Sequence, residues 1–101
     1  MGLTTALGTR AGIEIRNVGG LELVAFSDAQ AFLDACVIAG VTIIGIEGFY
    51  IDDTRTSPDM DAIADFSQIR NCEESIFESR AFIKTVGQPE MFFDFTFSEN
   101  V

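Results

Sequence analysis

VTIIGIEGFYIDDTRTSPDMDAIADF, residues Val41 to Phe66, is the stretch on which the fold turns. It opens as the most apolar run of the chain and closes as the most acidic. Val41 to Ile46 is β-branched except for Gly45, which predicts a central strand rather than a helix. The strand extends to Asp52, and Gly45 and Gly48 inside it mark a bulge or a close backbone approach. From Glu47 to Asp65 there are six carboxylates (Glu47, Asp52, Asp53, Asp59, Asp61, Asp65) against Arg55 alone. Asp53 to Asp59 reads as a loop, because the residue before Pro58 is biased away from helical backbone. Asp59 to Ile69 is ambiguous and accommodates a short helical turn followed by a strand through Ala64–Ile69.

Upstream of this stretch, Ser27 followed by Gln30 predicts a capping box. Ala29, Phe32, Leu33, Cys36 and Val37 recur at helical spacing, and Gly40 supplies a left-handed stop. Before that helix, Ile13–Val18 and Leu21–Phe26 alternate with period two around Gly19-Gly20, the pattern of a β-hairpin. Met1 to Gly12 shows little periodicity and is expected to be a loose terminus. Downstream, Asn71 and Glu74 form a second cap signal. Cys72, Ile76, Ser79, Ile83 and Val86 line the helix that follows, with Phe82 at its edge and Phe77 nearly opposite. Met91 to Phe97 then alternates, with Met91, Phe93, Phe95 and Phe97 on one face and Phe92, Asp94 and Thr96 on the other. These elements predict a single α+β domain over residues 1–101: a four- to five-stranded antiparallel or mixed sheet with two helices packed on it.

A hydrophobic content of 48%, with ten Phe among 101 residues, excludes a disordered chain. The net charge of −10 repels nucleic acid and anionic membrane, and it speeds encounter with basic partners. The opening MGLTTALGTR lacks the basic segment and apolar core of a signal peptide. No run reaches the roughly 20 apolar residues of a membrane span, so a cytoplasmic protein with reduced thiols is expected. Cys36 and Cys72 fall on predicted helices, where a buried thiol acts as a small hydrophobe.

Catalytic chemistry finds little purchase here. The chain has no His, the commonest general base and metal ligand. The run Gly45-Ile46-Glu47-Gly48 lacks the Lys and Ser/Thr of a phosphate-binding loop. No enzyme activity, cofactor or metal is expected. A calcium- or ligand-binding regulatory domain using the same acidic loop is the alternative, since clustered Asp can supply oxygens to a hard cation; the spacing, however, is not that of an EF-hand. Phe49, Tyr50 and Met60 stand among the acids, and apolar anchors rimmed by charge are the anatomy of a protein interface.

The same residues carry a resemblance. GIEGFYID followed by PDMDAIADFS, that is Gly45 to Phe49 and Ile51, then Pro58 to Met60 and Ile63 to Ser67, is similar to small bacterial immunity proteins of polymorphic or contact-dependent inhibition toxin systems. With the preceding helix from Phe32, the likeness covers about a third of the chain. It implies a stoichiometric inhibitor of a cognate toxin domain, a basic nuclease above all, acting without catalysis. The partner-binding residues expected on pattern are Glu47, Tyr50, Asp52, Asp53, Asp59 and Asp61, with Phe49 and Phe66 assigned to the core. Nucleic acid and membrane are not expected as partners, and monomer and homodimer both stay open.

Overall fold

A computed structural model describes residues 2–52, 55–69 and 71–98. Helix α1 (Leu3–Ala11) leads into strands β1 (Ile15–Val18) and β2 (Leu21–Ala25), which are followed by α2 (Ala29–Ala39), β3 (Ile43–Asp52), β4 (Arg55–Asp65), α3 (Cys72–Val86) and β5 (Met91–Phe97). The fold is α+β, with the helices set against a curled, antiparallel sheet. Strand order is β1-β2-β5-β3-β4. The last strand therefore sits at the centre, inserted between β2 and β3. Both helical connections, β2 to β3 and β4 to β5, step over one intervening strand.

Among the described residues there are three α-helices where the sequence predicts two, because Leu3–Ala11 is helical and not loose. The cap of this helix comes from a distant residue. The Glu22 carboxylate on β2 accepts the Thr5 backbone N–H at 2.9 Å and also the Thr5 hydroxyl, satisfying a donor that a helix N-terminus leaves open. Leu7 enters the core, and Gly8 lets the helix lie against Ile15. Gly12, at φ 73°, closes the helix in the left-handed region.

The other two helices follow their predicted bounds with local changes. The Ser27 capping box does not form. A 3-10 turn, Phe26–Asp28, occupies that position, and α2 starts without a side-chain cap bond. Its buried face is Ala29, Phe32, Leu33, Ala35 and Cys36, while Val37 is exposed. Asn71 caps α3 as predicted, its side chain accepting from Glu74 N at 2.7 Å. Ser75 and Ser79 are fully buried and small enough to let α3 approach closely. The Ser75 hydroxyl accepts from Ile43 N at 3.1 Å and donates to the Cys72 carbonyl, so it ties α3 to the start of β3. Phe77 is exposed.

The segment read as a loop and an open stretch is strand β4, paired with β3 to make a long hairpin. Pro58 and the interspersed Asp residues fit a strand here because β4 is a sheet edge, where a residue without an N–H donor is tolerated. The pairing slips midway. Between the Glu47–Ile63 and Phe49–Pro58 pairs, β3 advances two residues while β4 advances five. At that bulge Ala62 turns into the core against Gly48.

One sheet face is covered. Val24, Ile46, Met91, Phe93 and Phe95 meet Leu7, Phe32, Leu33, Cys36, Ile76 and Ile83 of the helices in one continuous core. Among the described residues no helix covers the opposite face.

Candidate functional site

Residues directly across from one another on neighbouring strands share a face, so the register maps the uncovered side. One row runs from Arg16 opposite Leu23, through Asp94, to Glu47 opposite Ile63. Asp94 is the next position on from the Val24–Phe93 pair and so lies beside Leu23. A second row is Ala25, Phe92, Phe49 and Pro58, each opposite the next. Leu23 and Phe49 are buried within these rows although no helix lies over them, and Ile63 is 45% exposed.

Glu47 and Asp94 thus form a like-charged cross-strand pair set among apolar neighbours. Burial, and then the charges of Glu47 and Glu22, push the Asp94 carboxyl above its ordinary range. Like charges directly opposite in a sheet are destabilising. Among the described residues neither carboxylate of the pair has an ion-pair partner; the one ion pair formed is Arg80 with Asp34, 2.6 Å apart between α3 and α2. The nearby Arg16 guanidinium lies instead over the Phe92 ring, 5.9 Å from its centroid, at cation–π range.

The residues expected from the sequence to meet a partner divide between faces. Glu47 is half-buried in the uncovered face. Tyr50, opposite Met91, belongs to the helix-side face and packs against the core, so it is not beside Glu47. Asp52 ends β3 opposite Arg55 at the hairpin tip. Asp59 and Asp61 fall in the slipped segment of β4, and Asp53 lies outside the described residues. Phe49 and Phe66 are both sequestered as expected, but on different sides: Phe66 packs edge-on to Phe82 of α3, ring centroids 6.4 Å apart. Asp65 accepts Ser67 N at 2.9 Å, and this contact with Ser67 holds its carboxyl below the usual range.

Asp94 is absent from the set chosen on sequence. Its signal is an acid in the middle of an otherwise apolar strand, MFFDFTF, but its meaning depends on β5 lying beside β3. Among the described residues no three His, Cys, Asp or Glu side chains converge as metal ligands would. The Cys36 thiol is pushed up to about 12, first by burial and then by Cys72, with Arg80 acting in the opposite direction. Cys72 is also raised, by burial and then Glu73. Neither thiol has the thiolate character of a nucleophile at neutral pH. A cleft of about 310 Å³ between α1 and α2 is lined by Arg10, Ala11, Ala31, Asp34, Ala35 and Ile38. No helix among the described residues is long and apolar enough to cross a membrane. Comparison with protein-family models, with curated proteins and with solved structures finds no match to this chain.

Proposed function

We propose that this chain is a stoichiometric protein inhibitor of the immunity type, which binds a basic bacterial toxin domain through an acidic surface and neutralises it without catalysis. The observation that carries this reading is the placement of acids on β3 and its neighbours. Glu47 and Asp94 face outward from the uncovered side of the sheet, and the β3–β4 hairpin carries Asp52, Asp59, Asp61 and Asp65 along a sheet edge. A net charge of −10 would speed encounter with a basic partner, with association reaching about 10⁸–10⁹ M⁻¹s⁻¹ at low salt and falling as salt screens it. The immunity-like residues Gly45 to Ile51 lie on β3, the strand that joins the central strand to the acidic edge. A toxin whose cleft holds phosphates is basic for that reason, and an acidic surface complements it.

Co-expression with the toxin domain encoded beside this chain tests the proposal. Survival of the cells and co-purification of a one-to-one complex are expected. Death of the cells, with no complex recovered, would end the reading.

A further inference from the structure

We infer that the uncovered sheet face is a docking surface for an arginine side chain of a basic protein partner, seated between Glu47 and Asp94 with its stem along Phe92 and Ile63. The inference rests on the inhibitor reading above and names the point of contact. Three features of the face argue for this occupant.

The first is charge. The pairing of β3 with β5 sets two carboxylates directly opposite each other, and among the described residues no cation neutralises them. A guanidinium presents parallel N–H donors that can bridge two carboxylates, which a single ammonium centre does less well. The second is apolar surface. Phe92, half-buried, and Ile63, 45% exposed, flank the acids, while Leu23 and Phe49 are buried within the same rows. A long cationic side chain buries its methylenes on such ground while its charge stays at the polar centre. The third is that this face already holds one guanidinium, that of Arg16 over Phe92. Phe92 is two residues from Asp94 and on the same side of β5. The incoming arginine would therefore enter an environment that accepts the same group one position away.

The test uses the full chain labelled with ¹⁵N and a tetra-arginine peptide as the probe. Amide shifts should cluster at Glu47, Ile63, Phe92 and Asp94. The double variant E47Q/D94N, which conserves side-chain shape, should bind the peptide at least about tenfold more weakly, the loss expected for charge-assisted hydrogen bonds. Its thermal midpoint should be no lower than that of the parent, which separates lost contact from lost fold. Shifts confined to the hairpin tip around Asp52 and Arg55, or unchanged affinity in the double variant, would overturn the inference. The co-expression assay keeps the two readings apart. If the parent protects cells and E47Q/D94N protects them equally, the docking site is wrong and the inhibitor reading survives. If the parent itself fails to protect, the inhibitor reading fails, and the peptide titration still decides whether the face takes arginine.

Discussion

Phe92 and Phe93 are consecutive residues of the central strand, and they occupy different environments. Phe93 is fully buried in the helix-side core, its ring centroid 6.4 Å from that of Phe26; Phe92 lies half-buried on a face shared with Arg16, Glu47 and Asp94. One side of the sheet is built to hold the molecule together. The other carries an electrostatic conflict that folding does not require, since the same strands could pair with neutral residues at both positions. The two sides therefore differ in what holds them together, and substitutions on them should behave differently.

The largest contrast is expected between the two phenylalanines. Phe93→Ala should destabilise by about 3–5 kcal/mol, the range for emptying a core site. Phe92→Ala should cost about 1 kcal/mol, since only part of that ring is removed from water. Urea denaturation of both variants measures the difference, and equal costs would erase the distinction between the faces. Next in size are the two glycines of β3. A methyl at Gly48 would sit 2.5 Å from Met91 Cε and 2.8 Å from Ala62 Cβ, whereas one at Gly45 would meet Ala64 O and Thr96 Cβ only at ordinary contact, 3.5 and 3.7 Å. Gly48→Ala should therefore cost about 1–3 kcal/mol through overpacking, and Gly45→Ala should stay within about 0.5 kcal/mol. A tolerated Gly48→Ala would mean that the bulge gives way more easily than its packing implies.

The remaining effect is small and has the opposite sign. Asp94→Asn should stabilise the fold at neutral pH by less than about 1 kcal/mol, the scale of a cross-strand like-charge contact. Its pH dependence follows from the raised carboxyl. Above the raised folded value Asp94 is ionised in both folded and unfolded chains, and the folded state bears the whole penalty. As pH falls through the raised folded value, the native protein takes up the proton first and the penalty fades, until it is gone below the ordinary value of 3.8. The advantage of the variant over the parent should therefore shrink between neutral pH and about pH 4. An advantage that stays constant across that range would show that Asp94 is not the group under strain.

How much of this could be read from the sequence depends on how local each signal is. The β1–β2 turn, the Gly40 stop, the Asn71 cap and β5 each declare themselves within a few residues, and each lies where its pattern predicts. Helix α1 does not, because its cap is Glu22, seventeen positions away from Thr5, and its closest packing is on Ile15. β4 is hidden for a related reason. Asp, Ser and Pro argue against a strand unless the strand is an edge, and edge status is a property of the whole sheet. The acids of the hairpin were visible as a cluster, but the pairing of Glu47 with Asp94 was not. It exists only because β5 inserts beside β3, a choice made by non-local packing and not by the residues flanking either acid.

The slip in β4 has a consequence for how the protein behaves in a crowded solution. A long edge strand offers its free backbone groups as a template on which another chain can add, and this is how sheets begin to propagate into fibrils. Here the phenylalanine-rich strand β5 is kept from that position by β2 and β3, and the edges fall to the short β1 and to β4. Pro58 removes one donor from the β4 edge, and the displaced residues beside it break the ladder near its middle. An arriving strand would find two short, mismatched stretches separated by a charged kink, too little to grow on. The bulge that turns Ala62 into the core also closes this edge of the sheet to uninvited neighbours.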